Sequence, residues 1–243
     1  MLSVKPWKPE SVLLLVGGIF LCLVAGMTAV SGLGRLLPGL AKADREFAAF
    51  AVGAVMFQGA ALVLVHFFLR EHGVGWREGF GLSWAGPGRT LALAALAVLV
   101  VVPLASLIGS ASDWVLTRLK ITSGLQVAVK MLQNRPPPGQ LAFFAATAIL
   151  LAPVAEEVLF RGILYPTLKQ SGHPRLALWV TSMLFASTHV NLLAFVSLTF
   201  LALVLTWLYE KTDNLLTPIF AHVLFNAVNF GVIVWAPDSL HFK

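Results

Sequence analysis

The sequence predicts an all-α, polytopic transmembrane bundle of about seven to eight helices. Composition is the first reason: 58% of the 243 residues are hydrophobic and only 12% are charged, where soluble domains carry about 25% charge. Mean hydropathy is +0.85. The second reason is length. Several apolar runs approach the roughly 20 residues that cross a bilayer as a helix. The third is pattern: the runs lack strict alternation, so they read as helices rather than as strands of a closed barrel.

The runs are Ser11–Gly32, Phe47–Leu69, Thr90–Gly109, Leu141–Tyr165, Leu176–Val190, Leu193–Leu208 and Leu215–Val234. The first follows Lys5 and Lys8 and superficially resembles a signal peptide. It exceeds the usual apolar length of one, and further spans follow, so it reads as a first membrane helix. Between runs lie polar connectors. Arg70–Arg89 is Gly-rich with mixed charge. Ser112–Pro138 reads as an amphipathic interfacial helix, with Trp114, Leu116, Leu119, Leu125, Val129 and Leu132 set against Arg118, Lys120 and Lys130. The three prolines at 136–138 end it, and the next helix is expected to begin near Gln140. Residues 1–139 thus supply N-terminal membrane helices with an interfacial segment. Residues 140–235 carry the polar chemistry, within a single membrane domain.

The net charge of +6 fits contact with anionic lipid headgroups. No basic patch interleaved with aromatics lies on a soluble domain, so nucleic acid is not an expected partner. The single cysteine, Cys22, excludes an internal disulfide and reads as a small hydrophobe. Seven spans put eight of the lysines and arginines on each side, so charge bias does not set the orientation.

Glu156, Glu157 and Arg161 lie inside the apolar run "LAPVAEEVLFRGILYP". An ionisable group at bilayer depth costs about 2.5–3.5 kcal/mol on insertion scales, which makes it a functional-site hypothesis by default. Glu157 and Arg161 are four residues apart and share a helical face. Glu156 is turned about 100° from Glu157 and is free to face something else. Phe185 and His189 in "FASTH", and His222 and Asn226 in "HVLFN", repeat the four-residue spacing, with Asn229 continuing the second stripe. Bringing these faces together inside the bundle is the cheapest way to bury them. Two adjacent carboxylates in a low dielectric do not both ionise cheaply. Arg161 can hold one charged, leaving the other to act as a general base. Histidines and an asparagine can orient water and donate to an oxyanion. A carboxylate with two histidines is also a zinc-like ligand set.

The motifs "EEVLFRG" (Glu156–Gly162), "FASTH" (Phe185–His189) and "HVLFN" (His222–Asn226) resemble, in order and on separate helices, those of the CPBP family of intramembrane proteases. That family includes the CAAX prenyl endopeptidases and the bacteriocin-immunity (Abi) proteins. The resemblance covers roughly residues 140–230; the N-terminal 140 residues match only in being membrane helices. It implies an intramembrane endopeptidase in which Glu156 activates water and His189 positions it. His222 and Asn226 would stabilise the oxyanion, with Glu157, Arg161 and Phe185 in support. It implies a glutamate-type mechanism with no metal, Zn2+ being the alternative. The implied substrate is a membrane protein or peptide, lipid-modified or carrying a C-terminal membrane anchor. The implied place is a bacterial or archaeal cell membrane, as a multi-pass protein.

Each residue also has a plainer reading. Glu157–Arg161 reads as a structural ion pair, His189 as interfacial, and His222–Asn226 as interhelical hydrogen-bond glue. Glu156 fits none of these, because its neighbour already takes the arginine. A proton-coupled transporter is the rival class, but no inverted repeat joins the halves. A catalytically idle scaffold is the third. "GLSWA" (Gly81–Ala85) is a weak serine-elbow pattern in a charged loop, and His66 lacks a motif partner.

Overall fold

The computed structural model describes residues 2–36, 39, 41–121 and 126–236. Nine helices occur among them: α1 Pro9–Leu36, α2 Lys42–Glu71, α3 Trp76–Phe80, α4 Pro87–Arg118, α5 Val127–Gln133, α6 Pro138–Gln170, α7 Pro174–Thr188, α8 Leu192–Thr212 and α9 Leu216–Trp235. No strand occurs among the described residues. Helices α1, α2, α4, α6, α8 and α9 are long and apolar enough to cross a bilayer. The chain is an integral membrane protein.

Two expectations shift. The run Leu176–Val190 forms only the 15-residue α7, too short for a full crossing at 1.5 Å per residue. Asn191 ends the run because its side chain accepts from the Ala194 N–H (2.9 Å) and caps α8. The amphipathic segment does not form one interfacial helix. Its first residues, 112–118, extend α4, only Val127–Gln133 forms a separate helix, and Leu125 lies outside the described residues. Prolines set several starts: Pro87, Pro138 and Pro174 occupy first-turn positions, where a missing N–H costs nothing. The helix expected near Gln140 therefore starts at Pro138.

Helix α6 is the axis of the bundle. It packs against α2, α7, α8 and α9, while α4 closes the far side against α8 and α9. Leu13, Leu14, Phe20 and Leu21 of α1, with Leu96, Leu99 and Val100 of α4, remain exposed, as lipid-facing positions should. Core residues Val158, Phe160, Ile163, Phe185, Ala202 and Tyr209 lock α6, α7 and α8 together.

The N-terminal segment ties one end of the bundle. The Lys5 N–H donates to Gln170 Oε1 (2.6 Å), and Gln170 Nε2 returns a bond to the Lys5 carbonyl (3.0 Å). Lys5 Nζ lies 3.4 Å from Asp213. The Lys8 N–H donates to His72 (3.1 Å), and Asn214 exchanges bonds with the Ser83 backbone. Residues 5, 72, 83, 170 and 213 therefore share one end. Four crossings, α1, α2, α4 and α6, carry the chain from Lys5 back to Gln170. Helices α7 and α8 then go out and return.

Candidate functional site

The site is built on α6, which leaves α-helical register twice. The stretches Ala146–Leu151 and Val158–Leu164 are π-helical, a geometry common at functional positions. Each precedes a proline, Pro153 or Pro166. In the first stretch the Ala152 N–H reaches back to the Thr147 carbonyl. The next carbonyl, Ala148, then falls to Pro153, which has no N–H. Asn226 Nδ2 of α9 donates to it instead (2.8 Å). The α-helical partner of the Gly162 carbonyl would be Pro166. The Trp7 indole N–H takes that place (2.8 Å). A buried carbonyl left unpaired would cost about 1–3 kcal/mol. Gly162 itself is required by packing, because a Cβ there would sit 2.7 Å from the buried Phe80 ring.

Between the π stretches, Ala152–Glu157 is α-helical and presents the two carboxylates in different directions. Glu157 is fully buried, and its Oε1 accepts from Arg161 Nη1 at 2.7 Å. Arg161, also buried, donates to the Ala202 carbonyl of α8 (3.2 Å) and lies over the Phe185 ring at 4.6 Å. Guanidinium, Glu157 Oε1, carbonyl and aromatic face engage one another, while Glu157 Oε2 is buried without a hydrogen-bond partner among the described residues.

His222 of α9 stands between the carboxylates. Its Nδ1 is 2.8 Å from Glu157 Oε1, and its Nε2 is 3.7 Å from Glu156 Oε2. Since Glu157 also accepts from Arg161, Nδ1–H is the donor to it, and Nε2 is the nitrogen turned to Glu156. Glu156 keeps 13% of its side chain accessible where Glu157 has none. Of the two, Glu156 is the one a substrate or water can reach.

Phe185 is the wall of the site, fully buried and close to Phe160, His189 and His222, with ring centroids at 5.3, 5.0 and 5.7 Å. His189, just after α7, donates from Nδ1 to the Phe185 carbonyl (3.0 Å), which turns its Nε2 outward. Val190 closes the turn at φ 47°, an outlying conformation for a β-branched residue. The sequence-selected residues thus fall into a bonded core, Glu156, Glu157, Arg161 and His222 around Phe185, with Asn226 and His189 at its edge. Asn229 does not continue the stripe inward. It is exposed and donates to the Phe225 carbonyl one turn back.

Other sequence candidates lie elsewhere. Ser83 of "GLSWA" is held through its backbone by Asn214, and exposed His66 accepts from Trp76. Among the described residues no three His, Cys, Asp or Glu side chains gather as a metal-binding group. The sequence pattern did not select Trp7, because its partner Gly162 is 155 positions away. Only its place before the first run, as an indole able to donate, hints at a buried role.

Residues 138–228 match the family described as "Type II CAAX prenyl endopeptidase Rce1-like", a range that holds α6, α7, α8 and all seven selected site residues. Over 186 residues the chain is 29% identical to "Uncharacterized protein YpbD" of Bacillus subtilis (strain 168), covering 75% of this chain and 80% of that protein. Over 77 residues it is 29% identical to "Putative membrane peptidase YdiL" of the same organism, 32% of each chain. No solved structure matches. The three ordered motifs, the match over residues 138–228 and the Bacillus relatives together support a CPBP-type, CAAX protease-like family for this part of the chain.

Proposed function

We propose that the protein is an intramembrane endopeptidase that hydrolyses a peptide bond with a water activated by Glu156, without a required metal. The observation that supports this most is the placement of His222 between Glu157, which Arg161 holds, and the accessible Glu156. His222 reaches both carboxylates, Nδ1 to Glu157 and Nε2 toward Glu156, so with a proton on each nitrogen its Nε2–H is a donor at the mouth of the site.

The chemistry follows. Glu156 takes a proton from water as the oxygen attacks the substrate carbonyl carbon. The carbonyl π electrons move to oxygen, and the oxyanion is met by His222 Nε2–H and the second amide N–H of Asn226, whose first is committed to Ala148. Glu156 returns its proton to the amide nitrogen as the C–N bond breaks. His189 Nε2 orients the water. Donors held in place before the reaction need no reorganisation during it.

The substrate is a membrane protein or peptide, lipid-modified or bearing a C-terminal anchor. The family match and the Bacillus relatives support a CAAX-protease-like peptidase of a bacterial or archaeal cell membrane. Comparative membrane proteomics of wild type against Glu156→Gln tests the reading: a protein whose processing stops is the expected result. Unchanged processing overturns it. Zinc chemistry on the same residues predicts stoichiometric metal and chelator-silenced cleavage. The glutamate mechanism predicts that a membrane-permeant chelator leaves cleavage intact.

A further inference from the structure

Between Phe47 and Val65 of α2, Gln58 is the one side chain able to make conventional hydrogen bonds. It lies in the helix's π-helical turn, Val55–Gly59, and its Oε1 is shielded from the surface with no hydrogen-bond partner among the described residues. An acceptor without a donor at bilayer depth is costly and calls for an explanation.

Its surroundings give a direction. On one side the turn is pressed against α1, because a Cβ on Gly26 would meet Met56 Cβ at 2.8 Å. Gln58 is two residues on from Met56 and faces roughly the opposite way. Beyond α1 and the rest of α2, the turn packs against Ala152–Glu157, the α-helical part of α6 that carries Glu156. The extra residue of a π turn bulges the chain and re-aims its side chains. Here the bulge advances an amide toward the carboxylate stretch.

We propose that Gln58 is a substrate-binding residue of the peptidase site, its Oε1 accepting the N–H of a substrate peptide bond laid in extended form beside Glu156. This rests on the proteolytic reading above. A peptide must unwind before it is cut, and its N–H groups then lose their helical partners where no bulk water replaces them. Arg161, His222 and Asn226 offer donors; Glu157 Oε1 is occupied, its Oε2 is unpartnered but inaccessible, and Glu156 is committed to water, so an extended substrate is served by an added acceptor. Gln58 supplies it from residues outside the 138–228 family match, which makes α2 part of the site rather than a lipid-facing support.

Gln58→Met keeps length and volume and removes the amide. The assay uses a quenched peptide copied from the cleavage site that Glu156→Gln abolishes, and versions N-methylated at one bond at a time. The expected result is about a tenfold fall in kcat/KM for Gln58→Met, carried by KM. N-methylation at one bond costs wild type the same factor and costs Gln58→Met nothing more. The melting temperature is equal or higher, since an unpaired acceptor is gone. Wild-type kcat/KM in Gln58→Met, additive N-methyl effects at every bond, or a lowered melting temperature each overturn the proposal. Cleavage that persists in Glu156→Gln overturns the proteolytic reading instead, and the melting test of Gln58→Met is independent of it.

Discussion

Helices α2 and α6 both leave α-helical register inside the membrane, and they do so in opposite surroundings. In α6, half of the most apolar window is buried; in α2, 17% is. Each π stretch of α6 precedes a proline, and Asn226 and Trp7 take carbonyls near them. The π turn of α2 precedes no proline, and what it leaves unpaired is a side-chain acceptor. Irregular backbone at bilayer depth is tolerated where protein covers it. In α6 the cover is deeper, and the helix carries Glu156, Glu157 and Arg161 within it. The α2 turn carries one polar residue, Gln58, whose Oε1 is shielded from the surface.

Four substitutions break or sharpen this comparison. The largest effect belongs to Glu156→Gln, which keeps shape but not basicity: cleavage is lost while size-exclusion profile and melting temperature stay at wild-type values. Asn226→Ala acts on both layers of α6. It removes the proposed oxyanion donor, about 10²–10³ in rate, and it leaves the Ala148 carbonyl without its partner. A fall in both kcat and melting temperature is expected, and normal stability with lost activity would separate the two roles. Arg161→Ala leaves Glu157 buried opposite an uncharged side chain, a cost of about 3–5 kcal/mol, measured as loss of folded yield and of unfolding midpoint. Normal folding with no turnover would reassign Arg161 to the substrate.

Trp7→Phe is the mildest. It retains the ring packing against Phe68 and Phe80 but orphans the Gly162 carbonyl, about 1–3 kcal/mol. The predicted midpoint shift is visible in thermal unfolding, with a smaller loss of activity than Asn226→Ala gives. If Trp7→Phe instead abolishes cleavage without a stability change, the π stretch around Arg161 is tuned by the N-terminal segment rather than merely covered by it.

Much of this was legible in the residues. The four-residue spacing of Glu157 and Arg161 anticipates their contact, because both lie where one helical face is continuous. Six of the seven apolar runs correspond to helices long and apolar enough to cross a bilayer. Length misled at Leu176–Val190, where hydropathy is continuous but the Asn191 cap cuts the helix. It misled also at Ser112–Pro138, where α4 simply runs on to Arg118. The π stretches were not legible. Pro153 and Pro166 announce a disturbed ladder, yet the groups that repair it come from Asn226 and Trp7, far away in sequence. The link of His222 to both carboxylates is likewise a product of α9 crossing α6. Gln58 had a visible signal as a lone amide in an apolar span, but only the packing of α2 on α6 gives it a direction.

The bonds of Lys5 with Gln170 and Asp213 have a consequence for the lipid. They hold the end of α6 and the end of α8 at the same membrane face, so α7 must take the chain outward before α8 brings it home. Fifteen residues rise only about 22 Å, against a hydrocarbon thickness of about 30 Å. A segment too short for its bilayer draws the headgroups in around it. On the proposed mechanism, the α7–α8 turn, where His189 sits, is the place at which a thinned far leaflet would shorten the path of water to the site.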